Sequence, residues 1–184
     1  IVVRLVGSEM CIRDSSYGNN KKTITSIINN KNDVIFNTSK TFSESINLLK
    51  KLNLTNMPFS TENGALLYFP KNRFKKIKNS SDYGKYWKIR IAKLSSKNWH
   101  QFLLKKQKKF KLLIAQDLPS KILKKYTNLD NTSKMLNREA SQIILWEDSL
   151  VNLKKFKNEL KSEKQGVLIQ GSRFMPVSYT HLRA

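Results

Sequence analysis

The chain has 184 residues, 39% of them hydrophobic and 26% charged, and its 35 Lys and Arg against 13 Asp and Glu give a formal net charge of +22. A chain of this size can bury one good core or two small ones, and no apolar run approaches the roughly 18 residues that a membrane-spanning helix needs. The lone cysteine, Cys11, excludes internal disulfides, CxxC redox chemistry and cysteine zinc sites.

In chain order, a helix is expected around Thr23 to Ile28, then an apolar strand over Val34 to Asn37. A hydroxyl-rich turn, Thr38-Ser39-Lys40-Thr41, leads into a helix whose Phe42, Ile46, Leu49 and Leu52 fall at helical spacing. Phe59 to Thr61 and Ala65 to Phe69 flank the turn-type sequence Glu62-Asn63-Gly64 and are closed by Pro70, which predicts a hairpin at the sheet edge. The polar stretch Asn79 to Gly84 suits a domain boundary. Beyond it, helix and strand alternate. Ser95 or Ser96 opens a helix carrying Trp99, Phe102 and Leu103, and Phe110 to Ala115 is a strand. Ser120 caps a short helix with Ile122, Leu123 and Tyr126, and Ser141 to Trp146 is the next strand. A helix over Ser149 to Leu160 carries Leu150, Leu153, Phe156 and Leu160 on one stripe, and Val167 to Gln170 is a strand. This βαβ-like alternation makes the fold class α/β.

The basic balance raises nucleic-acid binding as a function. Lys105 to Lys111 and Lys71 to Lys78 are the runs that could contact phosphates, with salt-dependent affinity. Lysine is accompanied here by abundant asparagine, and both are encoded by AA-starting codons, so an AT-rich genome inflates them together. The lysines are also spread over every predicted helix, as solvated faces are. No specific nucleic-acid partner and no membrane partner are expected.

Thr38 stands at the carboxyl end of a strand, where its hydroxyl and the backbone N–H groups of the following helix turn can hold a phosphoryl oxygen, with Asn37, Ser39 and Lys40 alongside. A plain helix-capping turn has the same local pattern. Asn63-Gly64 suits a type I′ turn as well as a loop facing a site. Arg138 and Arg173 offer planar forks that match a carboxylate, and a surface ion pair is the competing reading of each. Trp87 and Trp146 read as core, and His100 as a surface or packed side chain. Asp117, Glu147 and Asp148 lack the spacing of a metal site.

Four segments in order, NTSKT, PFSTENGALLYFP, LNREASQIILW and LIQGSRF, together resemble mannosyl-3-phosphoglycerate phosphatases, which are haloacid dehalogenase-like phosphatases with a Cof-type α/β cap. The similarity runs from about Thr23 to Phe174. It implies a fragment of a Rossmannoid core with an inserted α/β cap, acting in the cytoplasm on a small phosphorylated sugar-glycerate to yield a compatible solute. An aspartate nucleophile in a D-x-D-G-T motif would form an aspartyl-phosphate, with Mg2+ held by that motif and by a late G-D-x-x-N-D motif. The resemblance makes Thr38 the phosphate-orienting hydroxyl. It places Asn37, Ser39, Lys40, Glu62, Asn63 and Gly64 at the active-site face, and gives substrate reading to Arg138, Ser172 and Arg173. Gln142 stands where the family often has glutamate, and Ser172 replaces a glycine, which leaves the sugar open between mannosyl and glucosyl.

Neither acidic motif is present. Gly7 to Asp14 can be encoded GGC TCG GAG ATG TGT ATA AGA GAC, whose reverse complement translates as Val177 to Ala184. An inverted repeat at both ends looks like a transposon end with its sequencing adapter. Residues 1–15 and 176–184 are therefore expected to be non-native, with 16–80 a partial catalytic core and 81–175 the cap. A chain so truncated lacks nucleophile and metal ligands and is expected to be inactive and of poor stability.

Overall fold

The computed structural model describes Ser26, residues 34–127, 132–164, 166–169 and 174–178. Apart from Ser26, the helix expected over 23–28 lies outside these residues.

The first sheet has five strands in the order β1-β2-β3-β5-β4. They are β1 (Phe36–Asn37), β2 (Phe59–Thr61), β3 (Leu66–Pro70), β4 (Ser81–Tyr83) and β5 (Tyr86–Arg90). Helix α1 (Phe42–Leu52) crosses from β1 to the parallel β2. Thr41 caps α1 through a capping box with Glu44, and Asn53 ends it in the left-handed region at φ 58°. The β2-β3 hairpin is not at the sheet edge, because β5 pairs along the whole of β3 and β4 lies outside it. The short strands β4 (Ser-Asp-Tyr) and β5 (Tyr-Trp-Lys-Ile-Arg) carry no apolar alternation that announces them. They pair with each other as a hairpin, and β5 is held in the sheet by β3, as in the pairing of Tyr68 with Lys88.

Phe59 and Tyr68 stack with ring centroids 5.0 Å apart, and Phe42 reaches over them from α1 at 4.7 Å from Tyr68. Tyr68 is fully buried, and burial pushes its phenol well above the ordinary tyrosine range. Its hydroxyl and that of Thr61 are the buried side-chain polar atoms without a hydrogen-bond partner among the described residues. Thr61 draws the Tyr68 pKa down a little by proximity, but the pair does not reach hydrogen-bond geometry.

The second sheet has the order β6-β7-β9-β8, with β6 (Leu112–Ile114), β7 (Ser141–Trp146), β8 (Val167–Leu168) and β9 (Phe174–Ser178). Its pairings are antiparallel throughout, unlike a βαβ unit, because β9 turns back and slots between β7 and β8. Residues 176–178 of β9 belong to the stretch that the codon argument assigns to the adapter. Around this sheet lie α2 (Ser96–Gln107), α3 (Ser120–Thr127), α4 (Ser133–Leu136) and α5 (Leu150–Lys164). Ser95 is the N-cap of α2, bonding Asn98 N–H. Helix α5 buries Leu153, Phe156 and Leu160 as its stripe requires, whereas Leu150, its first residue, is 75% exposed. A single hydrophobic cluster runs from Leu49 and Phe59 in the first unit to Phe156 and Val177 in the second. Among the described residues no helix is long and apolar enough to cross a membrane.

Two carboxylates tie α5 to its surroundings, and both sit below the ordinary range. Asp148 is lowered by the Lys111 backbone N–H, then by Asn152 and the Ser149 N–H; Glu159 is lowered by hydrogen bonds from Lys106 and Lys109. A carboxyl depressed in the folded state adds stability that is complete above its unfolded pKa, near 4, and is lost as pH falls through the folded value. Acid titration followed by circular dichroism should therefore show stability falling below about pH 4, and Asp148→Asn with Glu159→Gln should flatten that limb. An acid limb identical in the double variant would refute this assignment.

Candidate active site

Three backbone segments far apart in the chain meet at the carboxyl end of β1. The loop 38–41 leaves β1, the turn 62–64 joins β2 to β3, and residues 138–141 lead into β7. The first two are joined through main chain. Thr38 N–H donates to Ser60 O at 3.3 Å, Asn63 N–H to Thr38 O at 2.9 Å, and Glu62 N–H to Lys40 O at 3.0 Å. The turn is not a two-residue type I′ hairpin. Four residues separate the paired Thr61 and Leu66, and Glu62, Asn63 and Gly64 all have positive φ, at 51°, 63° and 86°. Glycine and asparagine tolerate that region, but glutamate there is strained by about 1–2 kcal/mol.

The Thr38 hydroxyl oxygen accepts the Lys40 N–H at 3.2 Å. Its own hydrogen has no acceptor among the described residues, so it is available to an incoming oxygen. Asn37 is engaged by the Ser60 hydroxyl, which donates to its Oδ1 at 2.6 Å. Lys40 is half-buried, with no carboxylate partner among the described residues. The start of α1 is less open to an anion than its sequence suggests. Glu44 of the capping box accepts the Thr41 N–H at 2.9 Å, which puts a carboxylate where a phosphoryl group would otherwise approach. The Thr38 hydroxyl in the loop is a side-chain donor left beside that carboxylate.

The third segment closes over these two. Arg138 donates through Nη1 to Ser39 O at 3.1 Å and to Ser141 Oγ at 2.9 Å, and through Nε to Met135 O at 3.1 Å. Thr41 Oγ1 donates to Lys134 O at 2.8 Å. Glu62, 1% exposed, accepts the Glu139 N–H at 2.8 Å, the Ala140 N–H at 2.9 Å and the Ser141 hydroxyl at 2.6 Å. Asn63 reaches Ser178 Oγ at 3.4 Å. Such a cluster of loops at the carboxyl ends of parallel strands is where an α/β sheet binds ligands.

The profile of haloacid dehalogenase-like hydrolases matches residues 14–178 of this sequence, nearly its whole length. The chain belongs to that family. Among solved structures, this haloacid dehalogenase-like hydrolase is similar in fold to a Thermoplasma acidophilum protein at 14% identity, covering 88% of this chain and 55% of that one with a TM-score of 0.56. A Thermotoga maritima protein has 13% identity over 88% of this chain and 62% of its own, with a TM-score of 0.51. A Streptococcus mutans protein has 10% identity over 91% and 65%, with a TM-score of 0.58. The chain thus spans 55–65% of the length of these structures. No curated protein matches it in sequence.

Of the residues singled out by sequence in this haloacid dehalogenase-like hydrolase, the fold brings Asn37, Thr38, Ser39, Lys40, Glu62, Asn63, Gly64 and Arg138 together. Ser172 and Arg173 lie outside the described residues. Gln142 is 3% exposed and turned into the fold, with its amide on Ser96 Oγ at 2.8 Å and Gln116 Oε1 at 2.7 Å. Thr41 and Ser141 lie in segments that the sequence already singled out, but their bonds to Lys134 O and to Glu62 were not read from it. Thr41 carried a signal, the T-x-x-E capping box, whereas nothing local marks Ser141 as a partner of Glu62. The magnesium that the family resemblance implies does not fit the residues present. Glu62 has both carboxylate oxygens engaged, and no group of three or more His, Cys, Asp or Glu among the described residues could hold a metal.

Proposed function

We propose that the protein represented by this chain is a phosphomonoester hydrolase acting on a small phosphorylated sugar-glycerate, mannosyl-3-phosphoglycerate or its glucosyl counterpart, and producing mannosylglycerate or its analogue as a compatible solute. The observation that carries the reading is the Thr38 hydroxyl. It stands at the end of β1, its oxygen polarised by the Lys40 N–H and its hydrogen unassigned among the described residues. A donor in that state orients a phosphoryl oxygen and stabilises the charge that builds on it during transfer. Family membership supports the reaction class. The order of the four sequence segments supports the substrate class.

In this reading residues up to 80, with β1 to β3, are the remnant of the catalytic core, and residues from 81 on, which include β4 and β5 of the first sheet and the whole second sheet, belong to the cap. Lys40 adds a cation beside the phosphoryl group, and Asn63 and Gly64 close the floor of the site. Arg138 lies at its edge, with Ser172 and Arg173 reading the glycerate carboxylate. The described residues offer no group of three or more His, Cys, Asp or Glu for magnesium, and the enzyme works in the cytoplasm. Another sugar-phosphate phosphatase of the same superfamily is the second reading, favoured by Gln142, whose amide is spent inside the fold.

The test is the uninterrupted reading frame, expressed and given magnesium with a panel of phosphorylated sugars and glycerates. Phosphate release is expected to be fastest from the sugar-phosphoglycerates, and the present chain should release none above background. Comparable turnover of simple hexose phosphates would move the assignment to the second reading. The absence of a D-x-D motif upstream of residue 23 in that frame would end the hydrolase reading.

A further inference from the structure

Glu62 joins the two halves of the site with different parts of itself. Its main chain belongs to the phosphate loop, since Glu62 N–H donates to Lys40 O at 3.0 Å and the next N–H, of Asn63, donates to Thr38 O at 2.9 Å. Its carboxylate belongs to the segment before β7. There Oε1 takes the Glu139 N–H at 2.8 Å, and Oε2 takes the Ala140 N–H at 2.9 Å and the Ser141 hydroxyl at 2.6 Å. Two successive backbone N–H groups and a hydroxyl converging on one carboxylate form an anion nest. Arg138 strengthens it indirectly, by donating to Ser141 Oγ at 2.9 Å and so polarising the hydroxyl that Glu62 accepts.

The neighbouring charges are otherwise committed. Glu139 turns its own carboxylate to Lys88 at 2.5 Å, and Arg90 donates to Glu139 O at 3.2 Å. Glu62 itself is 1% exposed and holds a left-handed φ of 51°. A non-glycine residue keeps that backbone only where the surroundings over-determine it.

We propose that Arg138 to Ser141 is a carboxylate receptor filled from inside the protein by Glu62, and that Glu62 is a positioning residue that fixes the Thr38–Lys40 loop against the second sheet. The proposal rests on the phosphatase reading only for what is positioned; the receptor does not depend on it. Glu62 touches no substrate. It sets where the Thr38 hydroxyl and the Arg138 guanidinium stand relative to each other.

Glu62→Gly separates side chain from backbone, because glycine accepts the positive φ and only the carboxylate arm is lost. Amide hydrogen exchange read by NMR on the whole chain is the measurement. The Glu139 and Ala140 amides should be protected in the wild type and exchange at least about tenfold faster in Glu62→Gly. Propionate, the excised fragment, should restore protection saturably and return the Thr38 and Lys40 amide resonances toward wild type, while chloride at equal ionic strength should not. Glu62→Gln keeps the shape but sets an amide against an N–H donor, so its protection should be intermediate; it serves if the glycine variant does not fold. Unprotected Glu139 and Ala140 amides in the wild type would overturn the proposal, and so would a folded Glu62→Gly that propionate leaves unchanged. Inorganic phosphate separates the two claims. If, given with magnesium to the uninterrupted enzyme, it fails to shift the Thr38 amide while the Glu62-dependent protection persists, the phosphatase reading fails and the receptor stands.

Discussion

Trp99→Ala is expected to lower stability by about 3–5 kcal/mol, the usual loss for emptying a large buried aromatic site. Trp99 is 0% exposed and makes an edge contact with Phe102, with ring centroids 6.1 Å apart. Its indole N–H donates to Ala140 O at 3.1 Å, so the alanine variant also strands a buried carbonyl. The far wall of the indole is Gly166, where an added Cβ would stand 2.6 Å from Trp99 Cη2 and 3.0 Å from the Leu160 side chain. A domain of this size is stable by only about 5–15 kcal/mol, so the loss is a large share of the total. Urea denaturation of the wild type, Trp99→Ala and Trp99→Phe provides the check. Phenylalanine should recover much of the packing but not the hydrogen bond and fall between the other two. A Trp99→Ala midpoint within experimental error of the wild type would show that the indole is not a core contact of the second sheet. Gly166→Ala approaches the same wall from the other side and should also destabilise, since the ring has no room to retreat.

Thr38→Val in the uninterrupted enzyme should cut kcat by about 10²–10³-fold, the cost of removing one preorganised donor from a developing oxyanion. Valine keeps the shape of threonine without the hydroxyl. The lost local bond from Lys40 N–H is at a part-buried position, so stability should change by no more than about 1 kcal/mol. Thr38→Ser keeps the donor and should retain most of the rate. A fall in kcat with little change in KM marks a contact that strengthens in the transition state. If valine and wild type turn over equally, Thr38 is a capping-turn residue and the candidate site loses its centre.

The position of Thr38 and the role of Glu62 show how differently two site residues can be encoded. Thr38 is legible because its signal is local. An apolar strand, a hydroxyl-rich turn and an amphipathic helix are contiguous in sequence, and the fold keeps that order in β1, the loop and α1. Glu62 was legible only as part of a turn. Its partners lie 77 to 79 residues away, and no spacing rule connects a glutamate in one hairpin to amides at the start of another sheet's strand. Arg138 was chosen for its fork; among its partners are Ser39 O and Ser141 Oγ, both bonded by Nη1, and Met135 O, bonded by Nε.

By itself the sequence determined the helices α1, α2 and α5, whose apolar stripes and caps are set by period and by nearest neighbours, and the β2-β3 hairpin around Asn63-Gly64. The parallel pairing of β1 with β2, which brings Thr38 and that turn to one sheet end, is a tertiary feature that no local pattern announces. The tertiary structure alone decided that β3 lies inside its sheet, that β9 separates β7 from β8, and that a buried glutamate spans the two halves. The physical reason is the range of the forces. Helix propensity and capping act within about one turn of chain, whereas strand order and the partner of a buried charge are fixed by long-range burial and hydrogen-bond satisfaction, which no local pattern records.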